Sequence, residues 1–153
     1  MRLLVCGSRE WLGAWEEIGG QLPDVDDLTV IHGACSSVVG GVQRSVDMLA
    51  DFVARGLGYH VDPYPVDHAL DGPWPGAGPK RNARMLRDGR LTHGLAFGPL
   101  WRVTGRVTGT GDMVRRMLTA GLPVRWVAAP GFDAVDLTEM PSAAGAALED
   151  VRR

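Results

Sequence analysis

The chain is poor in cysteine, almost without lysine, and free of long apolar runs. Its two cysteines, Cys6 and Cys35, stand in neither a Cys-x-x-Cys nor a Cys/His zinc spacing. Reduced thiols are expected, with no disulfide framework and no structural metal. No apolar stretch approaches the roughly 18 residues of a membrane span, and the apolar part of MRLLVCGSREW is too short for a signal peptide. A cytoplasmic protein that makes no membrane contact is therefore expected. Net charge is also lacking, at −2 with a pI near 6.0. That removes the long-range pull towards polyanions, so nucleic acid is not the expected partner, although a local basic rim would survive the average. Finally, there is no G-x-G-x-x-G after the first strand and no G-x-x-x-x-G-K-[ST] anywhere. NAD and P-loop ATPase readings fail, and no cofactor is expected.

What is present describes one domain. A chain of 153 residues and 16.4 kDa exposes about 7,500 Å² when folded against roughly 24,000 Å² unfolded. With 45% hydrophobic and 22% charged residues, composition is that of an ordinary globular core.

Residues Leu3 to Cys6 form a short apolar run that stops at Gly7-Ser8-Arg9, as a buried strand does before a tight turn. A short helix is predicted over Trp11 to Leu22, then a second β-branched run, Thr29 to Ile31, closing on His32-Gly33-Ala34. The segment from Cys35 to Arg44 has no period and reads as a loop. Ser45 caps the clearest amphipathic helix, with Val46, Leu49, Ala50, Val53, Ala54 and Leu57 on one stripe. His60 to Tyr64 reads as a third strand, followed by a long Pro/Gly-rich loop of the kind that is more often functional than idle. Pro79 suits the first turn of a helix carrying Arg81, Asn82, Met85 and Leu86; Leu95 to Phe97 form a fourth strand; Thr110 is read as the cap of a last helix ending at Gly121; and Val124 to Val127 form a fifth strand. Beyond Ala128 only an Ala-rich stretch, Ala143 to Val151, has a helical pattern. Strands alternating with helices give an α/β fold, a mainly parallel sheet covered on both faces.

In such a sheet the ligand crevice lies outside the carboxyl ends of the strands. Gly7-Ser8-Arg9, His32-Gly33-Ala34, Lys80-Arg81-Asn82 and Gly109-Thr110-Gly111 all fall there. Glycine allows close backbone approach, helix amino ends offer free N–H groups, and Arg supplies a planar fork of donors. Together they describe a cleft for an anion, most simply a phosphate.

GSREW, HGA, VDMLAD, KRNARML and GTGDMVRR before AGLPV occur in the order and approximate spacing of the SLOG superfamily. Over roughly Met1 to Val127 the chain resembles its YspA/YpsA-related branch. The resemblance implies a Rossmann-like domain over residues 1–127, with residues 128–153 as an extension packed on it or trailing from it. It also implies binding of a nucleotide or nucleotide-derived small molecule, for sensing or sequestration. Carried over, Gly7, Ser8, Arg9, Gly33, Ala34, Asp47, Arg81, Asn82, Gly109 and Thr110 are the ligand-binding positions. The related Lonely Guy phosphoribohydrolases imply an enzymatic alternative, N-glycosidic hydrolysis of a nucleoside monophosphate with Arg81 and Asp112 as catalytic residues. Asp112 stands where those enzymes have Glu. The related DprA proteins imply a third reading, single-stranded nucleic-acid binding through Trp101, Arg102, Arg106, Arg115 and Arg116. The segments before Asp47 and after Phe97 are longer than the compact glycine turns of the superfamily, so the pocket is reshaped and the ligand's identity is not inherited.

Plainer readings stand beside these. Asp112 fits a dipole-complementing residue at the second position of its helix, Arg81 a solvated helix arginine, and Arg84 with Asp88 a surface ion pair. His32 fits a hydrogen-bonded strand-end histidine, and Cys6 an inert buried thiol near which Cys35 could approach. Trp74 and Trp101 either stack on a base or pack their loops onto the body. Helix faces left over after core formation leave room for a homodimer.

Overall fold

The computed structural model describes residues 1–143. Its elements in chain order are β1 (Arg2–Gly7), α1 (Trp15–Gln21), β2 (Thr29–His32), β3 (Val38–Val39), β4 (Val42–Gln43), α2 (Val46–Gly56), β5 (His60–Pro63), α3 (His68–Asp71), α4 (Ala77–Asp88), β6 (His93–Phe97), α5 (Gly109–Thr119), β7 (Val124–Val127) and β8 (Val135–Leu137). One six-stranded sheet runs β5-β2-β1-β6-β7-β8. Every pairing in it is parallel except β7 with β8.

The period-2 pleat of β1 divides the core in two. Leu3 and Val5 point to one face and join Ile18 of α1 with Val46, Ala50 and Ala54 of α2. Leu4 and Cys6 point to the other and join Met85 of α4 with Met113, Val114 and Met117 of α5. The result is a three-layer, Rossmann-like α/β fold, as the strand and helix pattern predicts.

Several local expectations are corrected. The segment read as a loop between Cys35 and Arg44 holds the β3–β4 hairpin, turned by Gly40 and Gly41 with φ of +58° and +77°. Three of its four valine and glutamine strand positions are exposed, so no buried face leaves a trace in the sequence. The Pro/Gly-rich loop contains α3, capped by Asp67, whose carboxylate accepts the Ala69 N–H at 2.9 Å. The cap of α5 is Thr108 and not Thr110: its hydroxyl accepts the Gly111 N–H at 2.9 Å and donates to the Pro99 carbonyl at 2.7 Å. Gly111 passes under the Leu100 carbonyl, where a Cβ would collide, and with Thr108 as cap Asp112 is the fourth residue of the helix.

Arg84 does not pair with Asp88. It reaches across to Asp71 of α3 with two bonds, Nε to Oδ1 at 2.9 Å and Nη2 to Oδ2 at 2.8 Å, while Asp88 takes Arg87. Past Val127, β8 pairs antiparallel with β7, Val135 opposite Trp126 and Leu137 opposite Val124. The Trp101 indole then donates to the Pro141 carbonyl at 2.8 Å, which fixes the β6–α5 loop to the chain beyond β8. The predicted terminal helix lies, from residue 144 onward, outside the described residues. No helix among those described is long and apolar enough to cross a membrane.

Candidate functional site

Strand order reverses between β1 and β6, since β1 continues to β2 on one side and pairs with the later β6 on the other. At their carboxyl ends a cleft of about 930 Å³ opens, at the switch point where open α/β sheets hold ligands. Gly7, Ser8 and Arg9 enter it from β1, Gly33 and Cys35 from β2, and Asp47 from the first turn of α2. From the opposite wall come Arg81 and Asn82 of α4, with Thr108, Gly109, Thr110 and Asp112 at the head of α5. Of the positions expected to bind ligand only Ala34 is not on this surface. Its N–H turns inward, at φ +54°, to the ring of His32.

The glycines are required by contact. A Cβ on Gly7 would meet the Phe97 carbonyl and the Val46 side chain at 2.7 Å, so the β1 turn lies directly between β6 and α2. A Cβ on Gly33 would enter the guanidinium of Arg81. Gly33 is thus the seat of Arg81, and a solvated Arg81 is ruled out: the side chain is buried. Its Nη1 donates to the carbonyls of Gly33 and of Tyr64, the latter at 3.1 Å, and its Nε donates to Asn82 Oδ1 at 3.1 Å. Only Nη2 is turned towards a weak acceptor, Cys35 Sγ at 3.7 Å, and Arg9 Nη2 approaches the same sulfur at 3.8 Å.

Asn82 carries the chain of bonds across to α5. Its oxygen faces Arg81 and its amide nitrogen donates to Asp112 Oδ2 at 3.1 Å and to the Gly109 carbonyl at 3.4 Å. Arg116 Nε reaches the same Asp112 oxygen at 2.8 Å, and Arg115 Nη2 takes Oδ1 at 3.0 Å. Burial pushes the Asp112 carboxyl up, but the bonds from Arg116, Asn82 and Arg115 outweigh it and hold the group below the usual carboxylate range. Asp112 is therefore an ionised, three-fold-bonded carboxylate. It has no proton to give a leaving group, and its low basicity makes it a weak proton acceptor.

The head of α5 differs in character. Thr108 occupies the Gly111 N–H, and helix geometry leaves the N–H groups of Gly109 and Thr110 without intrahelical acceptors. Thr110 is 8% exposed and lines the cleft. Its hydroxyl finds no side-chain or backbone partner among the described residues. Arg102, expected as a nucleic-acid contact, lines the cleft with Arg115 and Arg116; Arg106 does not. The cleft role of these arginines was not visible at the level of motif, although the three- and four-residue spacing of Arg115 and Arg116 from Asp112 is a readable helix signal.

Behind the β2 wall, His32 is fully buried. It accepts the Ala34 N–H on Nδ1 at 2.9 Å, which places its proton on Nε2, 2.8 Å from Asp51. Asp51 in turn accepts Arg55 Nε at 2.7 Å. Both ring nitrogens are engaged in the fold, so His32 has no free base to offer the cleft. The Cys6 thiol is pushed far up by burial and by Asp47, against a smaller opposing effect of Arg81. Trp101 packs through its bond to Pro141, whereas Trp74 is exposed and edge-on to His68 at 5.7 Å. Among the described residues no three His, Cys, Asp or Glu side chains gather as a metal site.

No protein-family model matches the chain, and no curated protein matches it.

Proposed function

We propose that the cleft binds a nucleotide or nucleotide-derived small molecule through its phosphate, and that the protein senses or sequesters this ligand. The observation that carries the reading is the head of α5: Gly109 and Thr110, whose N–H groups have no intrahelical acceptor, line a cleft that Arg9 and Arg102 also line. A helix amino end with converging hydroxyl and guanidinium donors is what a phosphate requires. The SLOG resemblance supports the same assignment, as does a cleft within the size range of small-molecule sites.

Hydrolysis is the weaker reading. Arg81 is occupied by two carbonyls and Asn82, and Asp112 by three donors, so both proposed catalytic groups are engaged in holding the walls together. Native mass spectrometry of the protein alone and with mononucleotides, ADP-ribose and cyclic dinucleotides tests the binder directly. An intact nucleotide retained at one per chain is expected. Free base and ribose phosphate appearing instead would establish the hydrolase, and no adduct across the panel would refute nucleotide binding.

A further inference from the structure

Among the described residues three acids are buried: Asp47, Asp71 and Asp112. Asp71 has Arg84, and Asp112 has Arg115 and Arg116. Asp47 has no such partner. It is 5% exposed, accepts the Cys35 N–H on Oδ2 at a long 3.2 Å, and forms no ion pair with any described residue. A buried carboxyl without a cation is costly unless something else donates to it. Burial accordingly pushes it up from the ordinary range, against smaller opposing effects of the Cys35 N–H, His32, Arg81 and the Cys35 thiol. Yet Asp47 is no core residue isolated from ligands, because it lines the cleft opposite the head of α5.

A hydrogen-bond donor on a ligand would relieve that cost, because it adds to what Cys35 supplies. A cationic donor is disfavoured, since Arg81 lies within electrostatic range of Asp47 and Arg9 shares the same wall. A hydroxyl carries no such penalty. We infer that Asp47 anchors a ring hydroxyl of a pentose phosphate unit whose phosphate sits on the head of α5. The inference rests on the phosphate reading proposed above and adds the second point of attachment. The cleft then reads charge at one end and a hydroxyl at the other, and it discriminates against phosphates that lack the hydroxyl because they leave the buried carboxyl with the Cys35 donors alone.

Ribose 5-phosphate is the minimal probe, and tetrahydrofurfuryl phosphate keeps its ring and phosphate without the ring hydroxyls. Titration calorimetry of the full chain with both, and with orthophosphate, is expected to show ribose 5-phosphate binding at least about tenfold tighter than the hydroxyl-free analogue. Asp47→Asn should narrow the difference between the two. Both probes carry the same phosphate, so the ratio of their affinities isolates the ring hydroxyls. Equal affinity for both probes in the wild-type protein overturns the inference and leaves the phosphate reading standing, and it needs no variant to fold. A gap that persists undiminished in Asp47→Asn removes Asp47 from the role. Binding of none of the three overturns the phosphate reading and this inference together.

Discussion

Asn82 shows how much one side chain can organise. Its two amide atoms face opposite demands, an acceptor towards Arg81 and a donor towards Asp112, so it joins a cation and an anion that lie on different helices. The carboxylate end of this chain has a measurable signature. The folded-state pKa of Asp112 is lowered, so its contribution to stability is present above the unfolded value of about 3.9 and is lost as pH falls below it. Asp112→Asn removes three charge-assisted bonds and is expected to cost about 2 kcal/mol at neutral pH. Urea denaturation should show the gap between wild type and variant closing as the solution is acidified through about pH 4. A gap independent of pH would show that Asp112 is not held as a carboxylate. The sequence singles out Arg81, Asn82 and Asp112, but not their partners. Asn82 and Asp112 are 30 residues apart, and only the packing of α4 on α5 brings them together. The same limit hid the burial of Arg81, because a guanidinium seated on Gly33 has no local pattern.

At the scale of elements, the α5 cap decides what the cleft presents. With Thr108 as cap, Gly109 and Thr110 are free at the helix head; had Thr110 capped the helix, its hydroxyl would have been engaged there. Thr108→Ala should destabilise the protein by about 1 kcal/mol. It should also weaken phosphate binding, because the Gly111 N–H and the Pro99 carbonyl lose the hydroxyl that fixes the head of the helix. Thermal unfolding and a phosphate titration read the two effects separately, and an unchanged melting point would contradict Thr108 as the cap. The long elements were legible: the stripe of α2 and the apolar runs of β1, β2, β6 and β7 each follow the period of their structure. The short ones were not. The β3–β4 hairpin and β8 carry mostly exposed residues, so they bury no face whose alternation a sequence would record. Both flank the ordered core, and β8 closes the sheet on the side where the strand pattern seemed to end.

For the molecule as a whole, the Arg84–Asp71 pair ties the crossover segment to the second helical layer. Two bonds from Arg84, with burial opposing and the Asp67 N–H assisting, hold the Asp71 carboxyl at about 2. That stabilisation is complete above the unfolded value of about 3.9 and disappears as pH falls towards 2, at up to about 2 kcal/mol. Asp47, whose carboxyl is raised, acts in the opposite sense and favours the folded state as it protonates. Arg84→Met leaves Asp71 buried and unpaired and should cost about 3 kcal/mol at neutral pH. Urea midpoints at neutral and acid pH decide the point: the variant should lose much of the wild type's acid sensitivity, and equal slopes in both proteins would remove the pair from the account.

The strand reversal between β1 and β6 has a further consequence. One wall of the cleft belongs to the chain before Tyr64 and the other to the chain after it, and the crossover between them passes through exposed Trp74. An occupant that touches Asp47 and Thr110 at once is thus a non-covalent staple between two successive halves of the polypeptide. Its binding energy resists their separation in proportion to how far its concentration exceeds its dissociation constant. Slower amide exchange along the whole β1–β6 seam would be the mark of a filled cleft.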